Sequence, residues 1–297
     1  MNRTLTALVA GVALVAASPG FAQELTGTLK KVKDTGTITL GHREASIPLS
    51  YLDDQQKPIG YSMDLCMKIV DAVKAKLDMP NLKVELVPVT SQTRIPLIAN
   101  GTIDLECGST TNSKERQKQV SFLVTTFVTG TKLLVKKASN VKSYKDLAGK
   151  PVVLTSGTTN ERAMKDLDAK EKLGMRFLAA KDHAEAFLMV ESGRAAAFAM
   201  DDVLLYGLKA SAKNPDDYEV TGEFLSYDPY AIMVRKDDAE FKKLADEAIT
   251  GLMKSGEIET MYKKWFDSPV PPKGVNLKLP MSDKLQDAIK NPNDVGA

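Results

Sequence analysis

Asn-Gly-Thr-Ile-Asp-Leu-Glu-Cys-Gly-Ser-Thr-Thr-Asn, residues 100–112, is the stretch on which the fold turns. Residues 95–100 read as a helix, and Gly101 stops it at a position suited to a left-handed cap. Residues 103–107 then read as a strand, and the strand ends in Gly108-Ser109-Thr110-Thr111-Asn112. A helix, a tight stop, a strand and a polar strand end make up the working unit of an open α/β sheet.

The unit recurs in both directions. Upstream, residues 37–41 and 84–89 read as strands, and 63–77 carries a helical face of Leu65, Ile69, Val70, Val73 and Leu77. Downstream, strands at 133–136, 152–155 and 196–200 alternate with helices at 161–167, 184–192 and 203–209. The last third differs. A strand at 231–234 is followed by a long amphipathic helix at 239–253, a Ser255-Gly256 break and a second helix at 258–266. Pro269, Pro271 and Pro272 end regular structure, and the tail from Asn276 is polar with one short helical stretch. The chain therefore reads as α/β with largely parallel sheets and no internal repeat.

Arg3 is the only charge before Glu24, and an apolar run from Leu5 to Ala17 lies between them. Ser18-Pro19-Gly20-Phe21-Ala22 follows, with small residues at −3 and −1 of a cut after Ala22. This is a secretory signal peptide over 1–22, too short for a spanning helix of ~20 apolar residues. The mature chain is expected to be soluble and exported to the periplasm. The whole sequence carries 40 Lys and Arg against 38 Asp and Glu, and one of the basic residues is Arg3. Such a balance speaks against nucleic acid as a partner, and any preference for an anion must be local.

Cys66 and Cys107 both survive removal of the signal. In an oxidising compartment an even pair suggests one disulfide, closing a loop of about 40 residues worth about 4 kcal/mol in the chain-entropy model. Buried free thiols and a catalytic thiol are the rival readings, but neither Cys has a His–Asn or His–Asp partner nearby in sequence. With two His and no ligand spacing, no metal is expected, and no cofactor either.

In open α/β sheets ligands sit beyond the carboxyl ends of the strands, where helices begin. Four such junctions here are polar: 90–94, 108–112, 155–159 and 181–183. Asn112 with Glu115, Thr158 with Glu161 and Asp182 with Glu185 have capping-box spacing. Each junction alone is readable as nothing more than an N-cap. Together with Arg43, Arg94 and Arg116 they read as sites for carboxylates, because a helix start offers free N–H groups and guanidinium is a planar fork. Arg94 stands on a first helical turn, where a cation opposes the helix dipole and an anion would compensate it. Arg116 is also readable as a solvated charge, and Arg43 as a partner of Glu44. Asp201 ends a strand and is either an N-cap or a carboxylate for a ligand ammonium. His183 is either a surface residue or a distal contact whose charge a bound carboxylate would favour.

At these motifs the chain resembles the periplasmic glutamate/aspartate-binding proteins of bacterial ABC importers, in the polar amino-acid (family 3) solute-binding proteins. The matching segments are Gly-His-Arg-Glu at 41–44, Gly-Tyr-Ser-Met-Asp at 60–64 and Thr-Ser-Gln-Thr-Arg-Ile-Pro-Leu at 90–97. They continue through 100–112, Glu-Arg-Gln-Lys at 115–118, Thr-Ser-Gly-Thr-Thr at 155–159 and Ala-Lys-Asp-His at 180–183. Glu-Ser-Gly-Arg-Ala at 191–195, Met-Asp-Asp at 200–202, Ser-Gly-Glu at 255–257 and Tyr-Lys-Lys-Trp-Phe at 262–266 complete the set. The closing hallmark marks the broad family. Arg43, Ser91, Arg94 and His183 together mark the acidic-ligand branch.

The resemblance implies a two-lobed periplasmic binding protein of type II, each lobe a mixed, mostly parallel sheet flanked by helices, joined by two hinge strands. Lobe 1 is expected at 24–128 plus 228–297, lobe 2 at 130–226, with the hinge near 126–130 and 226–229. It also implies that Arg116, Thr111 and Thr158 or Thr159 take a ligand α-carboxylate. Asp201 and Ser109 take the α-ammonium, and Arg43, Ser91, Arg94 and His183 the side-chain carboxylate. The partners implied are L-glutamate or L-aspartate and an inner-membrane ABC permease, the protein itself being a monomer and not an enzyme. Two alternatives stand beside this: a broader binder that also takes amides, and a cyclohexadienyl dehydratase-like enzyme on the same fold.

Overall fold

The computed structural model describes residues 24–297. The signal peptide read at 1–22 and its cut after Ala22 lie outside the described residues.

Helix α1 (Gly27–Thr35) leads into β1 (Thr37–His42), followed by a small antiparallel ribbon of β2 (Ala45–Ser46), β3 (Ser50–Leu52) and β4 (Pro58–Ile59). Next come α2 (Tyr61–Leu77), β5 (Lys83–Pro88), α3 (Arg94–Ala99), β6 (Leu105–Cys107) and β7 (Val120–Phe122). The strand β8 (Phe127–Thr129) then crosses to a second unit. It holds β9 (Thr131–Lys136), β10 (Pro151–Thr155), α4 (Thr159–Glu171), β11 (Arg176–Ala180), α5 (His183–Glu191), β12 (Ala197–Asp201), α6 (Asp202–Ser211) and β13 (Tyr218–Thr221). The chain returns through β14 (Asp228–Tyr230) and finishes with β15 (Met233–Arg235), α7 (Ala239–Ser255), α8 (Glu257–Phe266) and α9 (Asp283–Lys290).

The two five-stranded sheets have the orders β5-β1-β6-β15-β7 and β11-β10-β12-β9-β13. In each, one strand opposes the others: β15 pairs antiparallel with β6 and β7, and β9 pairs antiparallel with β12 and β13. The reason is topological. Both strands come directly after a crossing strand, so each enters its sheet from the end where the parallel strands finish. The crossing strands pair with each other antiparallel, Asp228 opposite Thr129 and Tyr230 opposite Phe127.

The first unit's core is the helical face read from the sequence. Leu65, Cys66, Ile69, Val70, Val73 and Leu77 of α2 are buried, and so are Phe241, Ala245 and Ile249 of α7. Cys66 is joined to Cys107 by a disulfide, which ties α2 to the end of β6 and leaves no free thiol among the described residues. The closing Tyr-Lys-Lys-Trp-Phe segment lies in α8. Phe266 and Tyr262 stack on Phe127 of β8 with centroids 4.8 and 6.1 Å away, so this hallmark roots one crossing strand in the first unit. Helix α1 is an element that the sequence reading left unassigned. It is rich in Lys, and of its apolar residues Leu29 and Val32 are the ones buried.

Candidate functional site

The carboxyl ends of the parallel strands of the two sheets face each other across a closed cleft. Arg116 of the first unit donates from Nη2 to the carbonyl of Gly157 in the second, at 3.2 Å. Thr111 and Thr159 meet hydroxyl to hydroxyl at 3.2 Å. Gly157, at φ 82°, packs so closely that a β-carbon there would sit 3.0 Å from the Gln92 nitrogen and the Ser91 carbonyl oxygen.

One end of this cleft is defined by unsatisfied polar atoms. Arg43 follows β1, Ser91 follows β5, Arg94 opens α3 and His183 opens α5, and all four residues are buried. Arg43 Nη1, Ser91 Oγ, Arg94 Nε and His183 Nε2 have no hydrogen-bond partner. Orphaned buried polar atoms are rare, and each costs about 1–3 kcal/mol. The groups behind them are held in place. Arg94 Nη1 donates to the Ser109 carbonyl at 3.2 Å and to Thr110 Oγ1, and Thr110 in turn donates to Glu106 at 2.6 Å. The Arg43 backbone N–H donates to Ser50 Oγ at 2.9 Å, and His183 Nδ1 is 3.0 Å from Thr155 Oγ1. Burial, together with the neighbouring Arg94 charge, pulls the Arg43 guanidinium down to about 10. Burial and the charges of Arg43 and Arg94 hold His183 well below its ordinary range, so it is neutral at pH 7. Two close guanidinium groups and a neutral imidazole with a free nitrogen suit a carboxylate.

The other end mixes charges. Arg116 is pushed down to about 9, chiefly by burial and then by Arg94, and its Nη1 donates to the Thr111 carbonyl at 2.9 Å. Asp201 ends β12, accepts from Asn160 at 2.8 Å and from the Tyr230 hydroxyl, and is raised well above the usual carboxylate range, first by burial and then by Asp228. Such a site welcomes an ammonium that would let Asp201 ionise. Ser109 is buried, with its hydroxyl 3.2 Å from that of Ser46.

The structure thus brings Arg43, Ser91, Arg94, Ser109, Thr111, Arg116, Thr159, His183 and Asp201 to the strand ends that line the cleft. Thr158 stands there too, but its hydroxyl caps α4, accepting from the Glu161 N–H at 3.1 Å and donating to the Thr155 carbonyl at 2.8 Å. The capping boxes need correction. Thr158 and Asp182 do accept from the third residue on, but Glu161 and Glu185 bond the N–H of Gly157 and Lys181, one residue before the cap. Asn112 and Glu115 form no box, because only a short turn of tighter helix, Arg116–Lys118, follows them.

Three residues of the site escaped the sequence reading. Glu106 is fully buried beside Arg94, 4.0 Å from Nη1. A charge inside the short strand Ile-Asp-Leu-Glu-Cys was the available signal. Asp228 accepts from Thr111 at 2.9 Å, from Thr159 at 3.0 Å and from Ser226, joining both units to a crossing strand. Tyr230, two residues on, buttresses Asp201. Nothing local in sequence marks either role.

Residues 38–268 match the bacterial extracellular solute-binding proteins, family 3. The chain is 58% identical to the L-glutamate/L-aspartate-binding protein of Pseudomonas aeruginosa, over 96% of this chain and 95% of that one. It is 51% identical to the glutamate/aspartate import solute-binding protein of Escherichia coli, over 90% of this chain and 88% of that one. Among solved structures, an ancestral arginine-binding protein bound to glutamine superposes with a TM-score of 0.70 at 31% identity, covering 78% of this chain and 98% of that one.

Proposed function

We propose a ligand and a working cycle from one premise: the chain belongs to the bacterial extracellular solute-binding proteins of family 3. It is a binding protein rather than an enzyme, as its relatives are. The proposed ligand is L-glutamate or L-aspartate, the pair named for the two relatives above. The observation that carries this reading is the set of partnerless buried atoms on Arg43, Ser91, Arg94 and His183. A side-chain carboxylate supplies acceptors for all of them. An amide in the same place is neutral and leaves two buried guanidinium groups to share the single charge of Glu106, which is costly.

In this reading Arg116, with the hydroxyls and N–H groups around Thr111, Thr158 and Thr159, takes the α-carboxylate. Asp201 and Ser109 take the α-ammonium. Lobe 1 comprises 24–128 and 228–297, lobe 2 comprises 130–226, and the hinge lies near 126–130 and 226–229. The monomer closes over its ligand in the periplasm. Closure is a hinge motion, stabilised by as much as the ligand prefers the closed state. An inner-membrane ABC permease recognises the closed form.

The test is isothermal titration of refolded protein with L-glutamate, L-aspartate, L-glutamine and L-asparagine. At least one acid binds much more tightly than its amide. Arg43→Ala or Arg94→Ala weakens binding of that acid about 100-fold or more, the scale for truncating one partner of a buried charged pair. Equal binding of acids and amides, or a loss of only a few-fold in both variants, overturns the assignment.

A further inference from the structure

The match to the family ends at residue 268, and the segment after it is not idle. Leaving α8, it crosses to the second unit, where Lys273 Nζ donates to the Ser211 carbonyl. It then returns to lay α9 near the crossing strand β8. Its last stretch runs behind the loop that carries Thr111 and Arg116. The Ala297 N–H donates to the Asn112 carbonyl at 3.0 Å, and the Lys114 N–H donates to the Ala297 carbonyl at 3.2 Å. The Asp294 carbonyl accepts from Asn112 Nδ2 and from Gln117 Nε2, each at 2.9 Å. The Asn293 carbonyl accepts from the Thr125 N–H at 2.9 Å, and the Asp294 carboxylate reaches Lys242 at 3.0 Å.

These contacts hold the outer side of a loop whose inner side is tied to the crossing strand β14, where the Asn112 N–H donates to the Pro229 carbonyl at 2.7 Å and Thr111 donates to Asp228 at 2.9 Å. Arg116 opens a single short turn of tighter helix, and the capping box that would have fixed Asn112 does not form. The Asn112 side chain is instead fully buried against the tail. Gly296 is buried where a β-carbon would come within 2.9 Å of the Lys114 nitrogen. The segment therefore pairs with the loop at strand-like closeness.

We infer that residues 293–297 are a positioning strap for the α-carboxylate end of the cleft, setting Arg116 and Thr111 from outside without touching the ligand. The inference rests on the ligand reading above for the role of Arg116. The strap itself is a matter of this chain's own hydrogen bonds. Two variants test it: a chain ended after Lys290, and Gly296→Val, which keeps the segment but pushes it off Lys114. Both are expected to weaken glutamate or aspartate binding about 10-fold, the order of one or two lost positioning bonds. With Arg116→Gln already present, removing the strap is expected to cost clearly less than in the parent, because the charged group it positions is gone. Amide hydrogen exchange at 112–118 is expected to speed up in both variants with no added ligand, and that readout stands even if neither acid binds the intact protein. Unchanged affinity in both variants, the same fold-loss in the Arg116→Gln background, or unchanged exchange at 112–118 each overturns the strap.

Discussion

His183 sits at the first turn of α5 with Nδ1 on Thr155 and a free Nε2, within the influence of the charges of Arg43 and Arg94. Its depressed basicity has a definite sign in pH. The unfolded chain protonates this residue below about 6.5, while the folded, ligand-free protein resists doing so. The folded state therefore binds fewer protons than the unfolded one, and His183 makes the free protein lose stability as pH falls below about 6.5. A ligand carboxylate beside Nε2 opposes the two guanidinium charges and brings the proton affinity back up. Thermal melts with and without glutamate are expected to show a ligand-induced rise in Tm that grows from pH 7.5 to pH 5.5. His183→Gln should flatten that growth. Asp201, raised rather than lowered, titrates in the opposite sense, so the comparison with His183→Gln isolates the imidazole. The same pH dependence of that rise in parent and His183→Gln would mean that no carboxylate reaches His183.

Elements close on each other here through glycines. Gly207 of α6 faces the loop between β2 and β3, and a β-carbon on it would stand 2.3 Å from the Ile47 carbonyl oxygen. Gly207→Ala forces helix and ribbon apart without altering a ligand contact. Affinity for the acidic ligand is expected to fall about 10-fold, in proportion to the lost closed population. Small-angle scattering of the saturated variant should give a larger radius of gyration than the saturated parent, whereas an equal radius would show that the cleft closes elsewhere. Which elements were legible in the sequence follows from the same physics. The α2 face and the alternating strands were readable because apolar periodicity is local. Helix α1 was not, since Leu29 and Val32 are its only buried apolar residues among the lysines. Arg94 announced itself as a cation on a first helical turn. Asp228 did not, because its partners Thr111 and Thr159 lie 117 and 69 residues away and only the folded chain brings them together.

For the molecule as a whole, the position of β15 has a consequence in time rather than in space. It lies between β6 and β7, so the first sheet has a gap down its middle until residues 233–235 arrive from beyond the second sheet. The second sheet draws all its strands from one uninterrupted stretch, 131–221. An exported chain thus has its later-made sheet ready to form before its earlier-made one can finish, and short-range contacts form faster than long-range ones. Pulse-labelled refolding is expected to find protection in β9 through β13 ahead of β7, with the first sheet completing last. Until then its exposed edges at β6 and β7 are open to pairing with another chain.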